Sequence, residues 1–476
     1  MITFSQSRRH FLGRASCAAV SSIPVLNTVL NLSLAEKISA VTAPANGEYR
    51  ALVCLFLSGG NDSYNMLVPR EATAYSQYQT SRSNLALAPG SLIDIQPTGL
   101  PNFAVHNAMP QVATLFQNSK AAFVANVGTL IERVQNRTQV NTLQKQLPLG
   151  LYSHSDQVEQ WQTSLPHQRS GIGWAGRAAD ILQELNSNQK VPMNISLDGG
   201  NVWQTGHDVA EYAITTDGAV ALENYEFAWQ SSDVAAQAFS QGVDSQLAQQ
   251  YSNVLMQTFN GRKRAALDAY NAFTTATAAS LPGAISFPDT YVGNRLEMIA
   301  KAIQGHGHLA LGAKRQTFFV NFGGWDHHSG VLSYQNSMLP QVSQAIGAFY
   351  NQLVAMGMEN NVTLFTASDF GRTLTSNGQG SDHAWGGNQL VVGGSVLGKK
   401  IYGQYPSLAL NPDIGSEVNP LDLGSGRLIP TTSCDEYFAE LALWLGVSPT
   451  DLPLVFPNIS HFYTPGSASG PVGFMA

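Results

Sequence analysis

Charge is scarce in this chain. Asp, Glu, Lys and Arg together make up 12% of its 476 residues, about half the usual share, and no extended run of Lys and Arg interrupts the body of the sequence. With a formal net charge of −7, this excludes nucleic acid as the main partner, because a phosphate-binding surface needs grouped cations. Cysteine is equally sparse. Cys17, Cys54 and Cys434 make no disulfide framework; Cys17 falls in a leader segment, and Cys54 sits in an apolar run where it reads as a small buried side chain. A single Cys54 to Cys434 bridge is the one pairing left. No apolar stretch is long and uninterrupted enough for a stable membrane span. Also missing, in a suitable context, are a GxGxxG dinucleotide fingerprint, a Walker P-loop, an HExxH helix and a GxSxG elbow. No internal repeat stands out.

What is present begins at the amino terminus. Ser7-Arg8-Arg9-His10-Phe11-Leu12 precedes a short apolar stretch rich in Ala and Ser, including Ala18 to Val25. Paired arginines before such a stretch describe an export signal of the twin-arginine type; a basic turn before an ordinary core helix is the alternative. Residues 1–40 are accordingly expected to be a leader, cleaved after Ala35 or Ala40, with the twin-arginine export machinery as a partner and a periplasmic or extracellular destination. A linker comes next, over residues 41–49.

The body, residues 50–462, reads as an α/β fold. Hydrophobic residues at 44% can fill a large core, and apolar runs alternate with helical segments as in a doubly wound, mostly parallel sheet covered on both faces. Strands are expected at Arg50 to Leu57, Ala121 to Val127, Gln316 to Phe322, Asn361 to Ala367 and Gln389 to Val392, and a helix from about Met109-Pro110 to Gln117. Leu339, Val342, Ile346, Phe349, Leu353 and Met356 recur at helical spacing, giving a helix that joins two of those strands. A closing helix spans Cys434 to Leu445, with Thr432 or Ser433 as N-cap. Residues from about 178 to 304 read as a helical insertion, a cap over the substrate or a surface region without a role in recognition. The tail, 463–476, is expected to be flexible.

Function is carried by the turns at the strand ends. Three of the apolar runs pass at once into a Gly-rich turn with Asp or His: Gly59-Gly60-Asn61-Asp62, Gly323-Gly324-Trp325-Asp326-His327-His328, Ser368-Asp369-Phe370-Gly371-Arg372. A further turn, Ser381-Asp382-His383, precedes the last strand. Ligands of open α/β sheets bind beyond the carboxyl ends of the strands, and carboxylates converging there repel unless a cation lies between them. Imidazole with carboxylate suits Zn, Mn or Fe. Asp326, His328 and His383 therefore form one candidate metal site, with Zn or Mn favoured, and Asp62 with Asp369 a second, for one or two divalent ions. Each Asp alone is equally at home as a turn or helix cap. His327 points away from His328 if the turn is extended, so His328 is the candidate ligand. Asp382 can orient His383 instead of binding metal. His306 and His308 precede a strand and fall at the opposite end of the sheet.

Ser153, in Ser153-His154-Ser155-Asp156 at the start of a helix, is the candidate nucleophile; Ser155 or Asp156 as a simple helix cap is the alternative. Ser63 is second. Arg372 can clamp an anionic oxygen pair or brace the Asp369 turn.

The leader, the Gly59-Gly60-Asn61-Asp62 turn, Ser153-His154, Gly323-Gly324-Trp325-Asp326-His327-His328, Ser368-Asp369-Phe370-Gly371-Arg372 and Asp382-His383 together resemble an exported bacterial family, domain of unknown function 1501, similar to the alkaline phosphatase and sulfatase superfamily. The resemblance spans nearly the whole chain in the same order. It implies one or two metals assisting attack on a phosphoryl or sulfuryl centre: Asp326, His328 and His383 at one, Asp62 and Asp369 at the other, and Ser153 near the nucleophile position. The sequence departs from the pattern at Asp369-Phe370, where an Asp-His pair is expected; His154 or Asp382 can replace the missing ligand, or a single metal is bound. The implied function is an exported metal-dependent hydrolase of phosphate or sulfate esters, acting on a small anionic ester or glycan. A non-catalytic exported protein on the same fold, binding polysaccharide or an envelope partner, is the alternative.

Overall fold

The computed structural model describes residues 48–225, 232–413, 415 and 417–476; the expected leader, its expected cleavage positions and Cys17 lie outside them. The strands are, in chain order, β1 (Arg50–Leu57), β2 (Leu67–Pro69), β3 (Leu92–Ile95), β4 (Phe103–His106), β5 (Ala121–Gly128), β6 (Asn194–Ser196), β7 (Tyr212–Thr215), β8 (Gly218–Ala219), β9 (Arg315–Phe322), β10 (Val362–Ser368), β11 (Gly387–Gly393), β12 (Ile401–Tyr402) and β13 (Thr432–Ser433). The helices that frame the site are α1 (Ala72–Arg82), α2 (Pro110–Gln117), α3 (His154–Thr163), α4 (Trp174–Leu182), α5 (Val234–Leu247), α6 (Val254–Ala276), α7 (Tyr291–Gln304), α8 (Val331–Met356) and α9 (Cys434–Leu445).

One sheet runs in the order β12-β5-β11-β10-β1-β9-β6-β7-β8, with β13 also paired to β5; β2, β4 and β3 form a small antiparallel sheet. At its centre β1 is parallel to both β9 and β10, and β6 continues the parallel run beside β9. The fold is thus mixed α/β with a largely parallel central sheet. The uninterrupted apolar sequence of β1 follows from this placement, since a central parallel strand is buried on both faces. Val53, Leu55, Leu57, Phe318 and Val320 pack into a core with Leu296 and Ile299 of α7, Leu339 and Ile346 of α8, and Phe116 of α2. On the other face Phe319 and Phe365 meet Trp203, Trp174 of α4 and Phe438 of α9 in a stack of rings.

The helix expected between the Asp326 turn and the Asp369 strand is α8, which buries Leu339, Val342, Ile346, Phe349 and Leu353. Its two strands are not neighbours: β1 lies between them, so the crossover passes over a strand. β11 runs antiparallel to both β10 and β5. That reversal brings the residues before β11 to the rim where β9 and β10 end.

Residues 178 to 304 form α5, α6 and α7 and also the short strands β6, β7 and β8. Ser433 caps α9 through a capping box with Glu436. Residues 463–476, expected to be flexible, are held to the body: Phe474 is buried and the Glu440 carboxylate accepts the backbone N–H groups of Val472, Gly473 and Met475. Cys54 and Cys434 are both buried and unbonded, so the possible bridge is not formed.

Candidate metal centre

Two glycines shape the rim. Gly59 and Gly60 both have positive φ, +118° and +87°, a conformation that glycine adopts without a steric penalty. A Cβ on Gly59 would lie 2.5 Å from the backbone nitrogen of Asp326, and one on Gly60 2.5 Å from the Phe370 ring. The β1 turn can therefore lie directly against the β9 turn and against Phe370, and the strand-end segments close on one another.

Four side chains converge there. His154, the first residue of α3, has Nε2 3.4 Å from Asp326 Oδ2; His328 Nε2 and His383 Nε2 stand 3.1 and 3.2 Å from Asp326 Oδ1. The Nε2 atoms of His328 and His383 are 2.9 Å apart. Ligand atoms of His154, Asp326 and His383 all lie within 4.8 Å of one another, a group able to hold a metal ion.

The far nitrogen of each ring decides what its Nε2 carries. His383 Nδ1 is 2.8 Å from the Tyr152 carbonyl oxygen, which can only accept, so the proton sits on Nδ1. His154 Nδ1 donates to Asp369 Oδ2 at 2.7 Å and His328 Nδ1 to Asp382 Oδ1 at 3.1 Å. In the neutral rings all three Nε2 atoms are then bare lone pairs aimed at one carboxylate. Such an array repels itself without a proton or a cation at its centre, and it is the donor set, with its outer partners, that holds transition metals in proteins.

The surroundings reinforce this. Burial lowers the His383 pKa against the opposing pull of the Tyr152 carbonyl, favouring the neutral ring. Burial raises the Asp326 carboxyl, but the hydrogen bond and charge of Arg372, with His328 and His154, outweigh it and hold the group below the usual range. Burial pushes Asp369 up against the hydrogen bonds from His154 and the Gly59 N–H. A hydrogen bond from Asn377 leads in holding Asp382 low, burial opposes it and His328 adds to it. Phe370, also buried, packs its ring 4.8 Å from that of His154 and 4.5 Å from that of His383. The departure at Asp369-Phe370 thus packs an apolar ring against two imidazoles whose own centroids are 4.4 Å apart.

The expected residues take distinct places. Asp326, His328 and His383 meet in the cluster, and His154 completes it. Asp369 reaches the cluster through His154, and its other oxygen accepts the Gly59 N–H at 2.9 Å. Asp62 is wholly buried and forms an ion pair with Arg82, the last residue of α1. From it a chain of contacts runs back to the cluster: Ser381 Oγ to Asp62 at 3.4 Å, Arg372 Nε to Ser381 Oγ at 3.4 Å, Arg372 Nη1 to Asp326 at 2.7 Å. Arg372 itself is fully buried and also donates to the Ser381 carbonyl. Ser153 occupies the N-cap position of α3 without capping it; its Oγ lies 3.2 Å from that of Ser155, and it hydrogen-bonds to Asp156. Ser63 Oγ accepts the Asn388 N–H. His327 turns inward and stacks on Tyr334, centroids 5.0 Å apart. His306 packs on Tyr49, just before β1, at the opposite end of the sheet.

Three contributors carry no signal in sequence. Tyr152 holds φ at +73°, a strained conformation for a non-glycine residue of the kind that gathers at functional sites, while its carbonyl accepts from His383. Arg427 lies over the Tyr152 ring, 5.6 Å from its centroid, and donates to the His383 carbonyl at 3.3 Å. Arg82 neutralises Asp62 from 20 residues away.

A family model described as Protein of unknown function (DUF1501) matches residues 49–448. No curated protein matches the chain. Among solved structures, Ps i-CgsB in complex with k-i-k-neocarrahexaose is similar over 87% of this chain and 77% of its own, at 10% identity and a TM-score of 0.32. A 2-O GAG sulfatase is similar over 74% of this chain and 66% of its own, at 11% identity and a TM-score of 0.27. Likeness at this level carries no argument about chemistry.

Proposed function

The chain belongs to the DUF1501 family, and from the rim of its sheet we propose that it is an exported, metal-dependent hydrolase of phosphate or sulfate esters on an alkaline-phosphatase-like fold. The observation that carries the reading is the set of three imidazoles whose Nδ1 atoms are all engaged by acceptors, leaving three Nε2 lone pairs on one carboxylate.

His154, His328, His383 and Asp326 would hold the ion, zinc or manganese by donor type. A divalent cation there supplies Lewis-acid polarisation of an ester oxygen. Asp369, Asp382 and the Tyr152 carbonyl fix the rings and their tautomers, and Arg372 keeps Asp326 ionised and in place. Arg427, half-buried beside His383, is the guanidinium assigned to support the anionic group of the substrate. Ser153 is the hydroxyl adjacent to the ligand His154, at a helix start that favours negative charge, and is assigned as nucleophile. Export rests on the paired Arg8 and Arg9.

Elemental analysis of the purified mature protein, prepared without chelator, tests the reading beside Asp326→Ala and His383→Ala. One transition metal per chain, lost in both variants together with turnover of a chromogenic aryl sulfate or phosphate, is the expected result. No metal in any of them sinks the assignment.

A second reading, a non-catalytic binding protein on this fold, is favoured by the enclosure of Arg372 and by the Ser153 hydroxyl facing Ser155 and Asp156. Bound metal with no turnover of either ester would move the assignment there.

A further inference from the structure

Next to the metal cluster lies a cavity of about 650 Å³ lined in part by Phe56 and Phe319, within the roughly 300–1,000 Å³ span of small-ligand pockets. Three segments tie it to the site. Ser58, in its wall, precedes Gly59, whose N–H donates to Asp369. Asn321, also in the wall, lies on the strand that leads into the Asp326 turn. Val158 and Gln162 continue the face of α3 that begins with His154, at successive spacings of four, and both line the cavity.

The polar groups facing this space define what it can hold. Asn321 Oδ1 is buried with no hydrogen-bond partner, so the part of this lining amide that a ligand can reach is its NH₂, a donor. Gln162 is 8% exposed, and its Oε1 accepts the Trp203 N–H, leaving its NH₂ as a donor. Thr205 contributes a hydroxyl and Glu211 a carboxylate that meet at 3.3 Å. Among the described residues no Lys, Arg or His lines the cavity, and its other carboxylate, Asp198, is tied down by Arg295 and the Asn321 N–H. Nothing there meets an anion. Interleaved donors and acceptors suit hydroxyl groups, each of which is both.

We propose that this cavity binds an uncharged pyranose ring, the alcohol portion of the ester whose anionic group lies at the metal cluster. The identification of that ring as a leaving group rests on the hydrolase reading; the sugar site itself does not. In hydrolysis the Ser153 oxygen bonds to the phosphorus or sulfur as the bond to the sugar oxygen breaks, and the proton lost by the serine hydroxyl goes to the sugar oxygen. Water then adds its oxygen to the phosphorus or sulfur and returns a proton to Ser153, so the released sugar is left in this cavity as the free hydroxyl.

Saturation-transfer NMR on the full mature chain with glucose, galactose and N-acetylglucosamine, and with galacturonate as the charged comparison, tests the site. At least one neutral sugar is expected to bind and galacturonate to bind more weakly. Asn321→Leu and Thr205→Val should each weaken binding by about tenfold, the scale of one lost hydrogen bond to a buried group. Asn321→Leu removes an amide oxygen that has no partner in the fold, so its thermal melt should match the parent. His383→Ala should lose metal and keep the sugar. No binding of any neutral sugar, or binding unchanged in both cavity variants, overturns the proposal. Sugar binding without metal or turnover would overturn the hydrolase reading alone, and metal with turnover but no sugar binding would overturn this one alone.

Discussion

His154 donates its Nδ1 proton to the Asp369 carboxylate at 2.7 Å across 215 positions of sequence. The contact turns the imidazole so that Nε2 faces Asp326, and Asp369 is in turn fixed by the Gly59 N–H. An outer carboxylate of this kind typically changes metal affinity by about 10–100-fold. Asp369→Asn should show that loss in a competition titration against a chromogenic chelator, with the circular dichroism of the parent. Unaltered affinity would remove Asp369 from any part in ordering the site.

Zinc should stabilise the folded chain. At about 100 times its dissociation constant, a ligand bound only by the folded state adds roughly 2.7 kcal/mol, read as a rise in Tm. His328→Ala should shrink that rise without lowering the metal-free Tm by much, since the His328 side chain is 47% exposed. An equal rise in the variant would place the metal elsewhere.

Gly59→Ala should be severe. The added methyl lands 2.5 Å from a backbone atom of the Asp326 turn at a positive φ, so strand ends must part for it to fit. We expect a loss on the order of 2 kcal/mol or more in chemical denaturation and no stoichiometric metal in the folded fraction.

Away from the site, Asp435 should make stability fall with pH. The residue is buried in the first turn of α9, and burial pushes its pKa up to about 8 against the charge of Arg177. Between about pH 4, where an unfolded Asp releases its proton, and pH 8 the folded chain holds a proton that the unfolded chain has lost. Stability declines as pH rises through that window. Asp435→Asn should match the parent near pH 4 and exceed it at pH 8, in melts at both values. Parallel pH profiles would show that Asp435 is ionised in the fold.

The central strands were legible because burial on both faces writes an unbroken apolar run, as in Ala51 to Leu57. Asp326, His328 and His383 were legible for a related reason: strand ends place polar residues on one rim. Strand direction leaves no such mark, and only the pairing shows that β11 is reversed. β6 and β7, at three and four residues, are too short for a period-two pattern to stand out within a polar stretch. The Asp62–Arg82 pair and the Tyr152 carbonyl were invisible, because a buried ion pair and a backbone acceptor depend on which segments meet and not on local pattern.

The cluster draws its ligands and their tethers from the segments around residues 59, 152–154, 326–328, 369–372 and 381–383, spread over most of the body of the chain. No continuous fragment contains it. On the proposed reading, metal uptake would therefore report completed folding: a preparation with one ion per chain would have all of these segments brought together, and the metal-to-protein ratio would measure the native fraction without any substrate in hand.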